Sequence, residues 1–302
     1  MEQSVYHLPV LLNASVEALV QNPNGIYVDV TFGGGGHSRA ILNQLSPEGK
    51  LVAFDQDPDA KANLPEDHRL LFIPTNFRFI ENFLTLHGIK QVDGILADLG
   101  VSSHQFDVPE RGFTLRVNAQ LDMRMNPAQT LNATTLLHTY PAEELARIFK
   151  HYGEFPHAKR LAERIVKTRE TEPVNTPEAL KKLLHGLVHP TKINKTLPVI
   201  LQALRIEVND EMGALEALLM ASPQLIRKGG RLVVISYHSL EDRPVKHFIR
   251  SGNLEGKQEK DFYGHVLAPF KPVKMGAIAP DDQEILHNSR ARSAKLRIAE
   301  RL

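Results

Sequence analysis

Apolar positions in the first hundred residues fall into short runs, each followed by a stretch with helical spacing. Residues 26–30 (IYVDV), 51–55 (LVAFD), 70–73 (LLFI) and 92–96 (VDGIL) read as four strands. Residues 37–45 and a segment near 79–86 repeat apolar positions at helical intervals, and a short helix precedes the third strand. Strands alternating with helices imply βαβ units, and so a parallel sheet covered on both faces. From about residue 109 to 222 no strand run stands out. Residues 141–152 align Leu145, Ile148 and Phe149 on one stripe, and residues 156–168 do the same with Leu161, Ile165 and Val166. Thr176 can cap a helix over 177–187, with Pro177 at its first position. Residues 197–221 read as one long helix or two abutting ones. The βα pattern resumes after Gly229-Gly230, with a fifth strand at 231–235 (RLVVI), a helix at 239–249 and a final strand at 294–299. Residues 251–290 are rich in glycine and proline and read as loop. The expected architecture is a doubly wound, mostly parallel α/β domain made of residues 1–108 and 223–302. A helical domain, residues 109–222, is inserted after its fourth strand.

The chain has 302 residues, enough for one large domain or two ordinary ones. Its 42% hydrophobic and 24% charged residues are globular usage. It has no cysteine, which excludes disulfides, iron–sulfur clusters, thiolate zinc and a cysteine nucleophile, and suits a reducing cytosol. No apolar run approaches the ~18 residues of a membrane helix. The first six residues carry Glu2 and no basic residue, unlike a signal peptide. A soluble cytoplasmic protein is therefore expected. The net charge of +1 hides an asymmetry: from Arg227 onward 15 Lys/Arg face 9 Asp/Glu, a net of +6. A basic C-terminal quarter on an acidic body hints at an anionic partner.

The strongest local signal is Gly33-Gly34-Gly35-Gly36-His37, directly after the first strand. Glycine permits positive φ and lets backbone amides approach a ligand, and a helix N-terminus follows. No G-K-[ST] follows, so this is not a triphosphate-binding loop. The dinucleotide pattern G-x-G-x-x-G also fails, because its last position falls on Ser38 or Arg39. Asp55 ends the second strand about twenty residues on, where an acid can accept from both ribose hydroxyls of an adenosine cofactor. NAD and S-adenosylmethionine both satisfy these features. The missing third glycine and the presence of Asp29 tilt the balance toward S-adenosylmethionine.

Two polar clusters leave the same sheet edge. Asp98-Leu99-Gly100-Val101-Ser102-Ser103-His104-Gln105 follows the fourth strand, and Ser236-Tyr237-His238-Ser239-Leu240-Glu241-Asp242-Arg243 follows the fifth. Ligands sit at the carboxyl ends of parallel strands in such sheets. At this point long strings resemble the bacterial RsmH (MraW) family, the 16S rRNA cytosine-N4 methyltransferases. They are HLPVL from His7, VDVTFGGGGHSRAIL, FDQDPDA, DGILADLGVSS, PERGFTLR, LDMRMN, YGEFPHAKRLAERIV, LQALRIEVNDE, VISYHSLEDRPVK and NSRARSAKLRIAER. They run nearly end to end.

The resemblance implies a Rossmann-like S-adenosylmethionine-dependent methyltransferase domain with an inserted helical, substrate-recognising domain. It implies cofactor contacts at Gly35, Gly36, His37, Asp55, Phe77, Asp98 and Gln105. It implies a cytidine amine of 16S rRNA, within the small ribosomal subunit, as the acceptor. Direct in-line transfer to an amine needs neither a metal nor a covalent enzyme intermediate, and no metal site is expected. Asp98 is the candidate to hold the acceptor amine, with Ser102 or Ser103 close by and His238 as a base-edge contact or proton acceptor. His7 is a candidate for a segment covering the pocket. Arg111, Arg116, Arg124, Lys159, Arg160, Arg164 and the basic group at 290–301 are candidate phosphate contacts. Other readings are a nicotinamide oxidoreductase, a non-catalytic RNA-binding module and a small-molecule methyltransferase. A monomer and a homodimer are both open.

Overall fold

The structure, a computed structural model, describes residues 9–302. His7 and the first six residues lie outside the described residues. Strands β1 (Ile26–Asp29), β2 (Lys50–Phe54), β3 (Leu70–Ile73), β4 (Val92–Asp98), β5 (Ile226–Ser236), β6 (Phe270–Pro272) and β7 (Lys295–Arg301) form one sheet. Its order is β3-β2-β1-β4-β5-β7-β6. The first five in that order run parallel, while β7 is antiparallel to both β5 and β6. The chain steps outward from β1 to β3, then returns to place β4 on the other side of β1. A crevice therefore opens at the carboxyl ends of β1 and β4.

Alternation along the strands sends side chains to two cores. Val28, Val52, Ile95, Leu232 and Val234 pack on one face. That face is covered by helices α3 (Ile80–Leu86), α10 (Glu211–Leu225) and α11 (Ser239–Ser251). Tyr27, Leu51, Leu96, Val233 and Ile235 pack on the other, under α1 (Leu12–Leu19) and α2 (Gly36–Gln44). Among the described residues no helix is long and apolar enough to cross a membrane.

The chain divides into two compact units. The sheet unit takes the described residues up to Gly100 and from Met212 on; Val101–Glu211 form the second unit. The expected joints at 108/109 and 222/223 thus move to 100/101 and 211/212. The reason is packing: Val101 and Phe106 lie on the helical core, while Met212, Leu215 and Leu218 lie on the sheet's core. The second unit contains α4 (Ser103–Asp107), α5 (Ala133–Thr139), α6 (Ala142–His151), α7 (Ala158–Thr168), α8 (Pro177–Leu184) and α9 (Ile193–Asn209). Of the stripes read from the sequence, Leu145, Ile148, Phe149, Leu161 and Ile165 are fully buried in its core, while Val166 packs against it half-buried. Thr176 caps α8, its side chain accepting from Ala179 N. The long helical stretch is two helices, α9 and α10, separated at Asp210, which has φ +47°. The loop-rich segment holds β6 and α12 (Asp282–His287), both too short to leave a pattern.

Gly112 turns the chain in the second unit with φ +73°. A Cβ there would overlap the backbone at Asp122 and Gln120, which cannot swing aside. Gly112→Ala is expected to cost about 2 kcal/mol or more, from the left-handed backbone and the clash together. The shift in the denaturant midpoint measures this. An unchanged midpoint would contradict it.

Candidate active site

β1 ends at Asp29, whose side chain is buried completely. Its Oδ2 accepts from Ser38 Oγ at 2.7 Å, and its Oδ1 accepts from Thr31 N at 3.1 Å and Thr31 Oγ1 at 3.4 Å. Ser38 belongs to the first turn of α2, so one carboxylate joins strand end to helix start and braces the glycine turn between them. Burial pushes its carboxyl above the usual range, against the pull of His37 and its hydrogen bonds.

Gly33 and Gly35 have φ +50° and +74°. A Cβ on Gly35 would press on Phe32 at 2.8 Å, and one on Gly36 would overlap Pro9. Only backbone fits at these two positions. The turn is latched from outside: Asn63 Nδ2 donates to Gly33 O at 3.1 Å, and Arg39 donates to Asn63 O at 2.8 Å and to Gly34 O. Four glycines thus form a rigid cradle.

Asp55 follows β2. Its Oδ2 accepts from Gly33 N at 2.7 Å and its Oδ1 from Asp57 N at 2.8 Å. Burial pushes its carboxyl up to about 6, although both N–H groups favour the charged form. Asp98 closes β4, one strand from β1. Its N donates to Thr31 Oγ1 at 2.7 Å, so Thr31 joins the ends of the two strands. Asp98 Oδ1 accepts from Tyr237 Oη at 2.8 Å, and Oδ2 lies 3.7 Å from His37 Nδ1. Burial pushes this carboxyl up to about 6 as well, with His37 and the Tyr237 hydrogen bond opposing. Its side chain keeps 21% exposure, enough to meet a ligand. Burial, and next the charge of Asp98, push the Tyr237 phenol well above its ordinary value, so it stays a donor. His37 is buried, with Nε2 3.2 Å from Val10 O.

The sheet unit therefore brings Gly35, Gly36, His37, Asp55 and Asp98 to neighbouring strand ends. Phe77 stands in a single 3-10 turn just after β3, half-buried against the core. Its neighbour Asn76 donates to Gln56 Oε1 at 3.1 Å, tying the exits of β3 and β2 together. Ser102 and Gln105 lie in the second unit, where they form the capping box of α4. Ser102 Oγ accepts from Gln105 N at 3.3 Å, and Gln105 Oε1 accepts from Ser102 N at 3.1 Å. His238 caps α11: Nδ1 accepts from Glu241 N at 3.4 Å, and Nε2 lies 3.1 Å from Glu241 Oε1.

Sequence reasoning did not single out Thr31 or Tyr237. Tyr237 and Asp98 are 139 positions apart, and only the β4–β5 pairing makes them neighbours. At least five of the candidate phosphate contacts are occupied by the fold, including Arg297, paired with Asp242, and Arg301, which donates to Pro223 O and Pro269 O. Arg111 donates to the carbonyls of Arg124 and Met125, Arg124 is paired with Asp122 and caps two further carbonyls, and Arg164 holds Leu183 O and His185 O.

The raised acids have a consequence for stability. Asp55 and Asp98 rise from 3.8 to about 6 on folding. Between those values the folded protein keeps protons that the unfolded chain has lost. Their contribution to the ligand-free protein therefore diminishes as pH rises from about 4 to about 6. Asp98→Asn is expected to flatten that part of the melting-temperature profile. The same slope in the variant would contradict the assignment.

The model of the MraW methylase family matches residues 4–302. A protein of Flavobacterium johnsoniae named Ribosomal RNA small subunit methyltransferase H is 55% identical over 297 residues, 98% of each chain. Proteins of the same name from Bacteroides fragilis and Parabacteroides distasonis are each 51% identical, over 99% and 100% of this chain and 99% of their own. With a family model and relatives at this identity covering almost every residue, the chain belongs to the MraW methylase family.

Proposed function

We propose that this protein is an S-adenosyl-L-methionine-dependent methyltransferase that modifies the N4 amine of a cytidine in the decoding region of 16S rRNA. Its substrate would be that rRNA within the small ribosomal subunit, and its location the cytoplasm. The observation that carries the cofactor reading is the charge of the crevice. Asp29, Asp55 and Asp98 are desolvated at adjoining strand ends, and the last two are held near 6 for want of stronger cationic partners. A ligand with a sulfonium and an ammonium group relieves that cost. Asp55 suits the ribose of either cofactor, but a dinucleotide would bring its diphosphate to the glycine turn beside Asp29 and Asp98, which disfavours the nicotinamide reading. A non-catalytic RNA-binding module would give these carboxylates no task. The name carried by the relatives supports rRNA as the acceptor over a small molecule.

The residues present fit the cofactor. Gly35 and Gly36 give backbone access, Asp55 would accept from the ribose hydroxyls, and Phe77 would stack on adenine. His37, Asp98 and Gln105 complete the proposed contacts. S-adenosylmethionine supplies an electrophilic methyl group suited to in-line displacement. The difficulty for the chain's own residues is the acceptor, because a cytosine amine shares its lone pair with the ring. Asp98, once deprotonated, can accept one N–H, draw that lone pair out of conjugation and offset the positive charge that develops. Tyr237 holds its carboxylate and Thr31 its backbone N–H, which lowers the cost of ordering it during the reaction. Ser102 and His238, leaving the ends of β4 and β5, complete the proposed catalytic set. The helical unit, Val101–Glu211, is assigned to substrate recognition, and the target base must be unstacked to reach Asp98.

Labelled cofactor incubated with small subunits and with naked rRNA should give N4-methylcytidine in one of them. Label on another base, or none, would overturn the reading. Asp98→Asn should cut turnover by about a hundredfold or more, measured as methyl transfer at saturating cofactor. Full turnover would remove Asp98 from the mechanism. Cofactor binding should tighten as pH rises from 5 to 7, because the acids must shed their protons to meet a cation. Calorimetric titration across that range would show a flat response if the crevice bound its ligand otherwise.

A further inference from the structure

Residues 9–11 run along the glycine cradle. A Cβ on Gly36 would overlap Pro9 Cγ, so the proline rests directly on the first residue of α2. Val10 O lies 3.2 Å from His37 Nε2. Leu11, the residue before α1, has φ +53°, a left-handed conformation that costs free energy in any residue with a Cβ. Such strain persists only where the surroundings over-determine it. Some of the hold is local: Leu11 is buried, and its O accepts from Ser15 N at 2.9 Å and Ser15 Oγ at 2.8 Å. The rest comes from the far end of the chain. Leu11 N donates to Glu284 Oε1 at 2.6 Å, across 273 positions. Glu284 belongs to α12, in which no residue is buried, so packing does little to hold that helix. It is fixed at its two ends instead. Before it, Ile278 and Leu296 of β7 exchange two hydrogen bonds of 2.9 Å, and Asp281 Oδ1 accepts from Glu284 N at 2.8 Å. After it, Asn288 and Ala291 are buried. A short exposed helix, anchored to the sheet on both sides, thus delivers one carboxylate to the N-terminal segment.

We infer that Glu284 is a positioning residue for the cofactor: it latches residues 9–11 onto Gly36 and His37 and so fixes one wall of the cradle. Gly36 and His37 are two of the residues assigned to the cofactor, so the inference rests on S-adenosylmethionine being the ligand there. A backbone N–H bound to a carboxylate is held more strongly than one bound to a neutral acceptor, and this offsets the cost of the left-handed Leu11. Without Glu284 the Leu11 N–H loses its acceptor, and the strained φ is free to relax by drawing Pro9 away from Gly36. The loosening would stay local, because α1 keeps its own buried side chains, Val16 and Leu19. Asp98 is held by Tyr237 and Thr31, through bonds that do not involve Glu284. The effect therefore falls on retention of the cofactor more than on the chemical step, since a wall that must be ordered at each encounter weakens binding.

Glu284→Ala removes the latch, and alanine suits a helix, so α12 itself should persist. Glu284→Gln keeps an acceptor oxygen at the same reach. In ligand-free protein, hydrogen exchange at the Leu11 amide should quicken about tenfold in Glu284→Ala, as expected for the loss of one hydrogen bond to a charged acceptor. Glu284→Gln should stay within about threefold of the wild type. The KM for S-adenosylmethionine and its dissociation rate, followed by rapid displacement, should rise by about the same tenfold in Glu284→Ala. Turnover at saturating cofactor should fall far less, and Glu284→Gln should restore both quantities. A residue that merely stabilised α12 would quicken exchange in residues 282–287 and leave the Leu11 amide protected. Unchanged exchange at Leu11 in Glu284→Ala would therefore overturn the latch. Faster exchange with unchanged cofactor dissociation would overturn its role at the cradle. A wild type that binds no S-adenosylmethionine would sink the cofactor reading and this inference with it; that failure shows without any substitution and is told apart from the other two.

Discussion

Everything at the crevice depends on one buried carboxylate. Asp29 has no contact with solvent, yet it receives three hydrogen bonds from Ser38 and Thr31. Through Ser38 it sets where α2 begins, and through Thr31 it touches the end of β4. The glycine cradle, the approach of Asp98 and the exit of β1 therefore share one fixed point. An acid in such a place is expensive unless it is fully satisfied, and removing a partner would leave a buried charge uncompensated. That cost explains why the turn is so tightly specified around it, with Arg39 and Asn63 latching the opposite side.

Acids pressed together at a sheet edge also define what can enter. Asp55 and Asp98 are held near 6 by burial, which the Asp57 and Gly33 N–H groups offset only in part at Asp55, and His37 and Tyr237 only in part at Asp98. The proposed cationic cofactor would therefore meet a charge preference at these strand ends before any question of shape. The clustering of these acids comes from the backbone geometry of a doubly wound sheet, which puts the ends of β1, β2 and β4 side by side.

The sheet unit was largely readable in the sequence because its strands are buried on both faces and show as continuous apolar runs. The cradle and Asp55 were readable because glycine and a strand-end acid have few other reasons to stand at that spacing. The pairing of Tyr237 with Asp98 was not, since it depends on β5 lying next to β4 across a long insertion. The unit boundaries slipped for a related cause: Val101 and Phe106 look like a strand exit but pack with the helices. Helix α12 and strand β6 are held by tertiary contacts and carry little local pattern. Arg111 and Arg124 drew attention by their charge, but a guanidinium capping carbonyls looks the same in a sequence as one awaiting a phosphate.

Strands β4 and β5 are neighbours in space, but residues 99–225 separate them along the chain. During synthesis the N-terminal strands are therefore complete long before their partner exists. For that interval the edge of β4, apolar at Val92 and from Ile95 to Ala97, is open to pairing with another strand. Such long-range closure slows folding and exposes nascent chains to misassembly. The same insertion that furnishes a helical unit thus imposes a waiting period on the newborn protein, a vulnerability that falls to chaperones or to rapid helix collapse to cover.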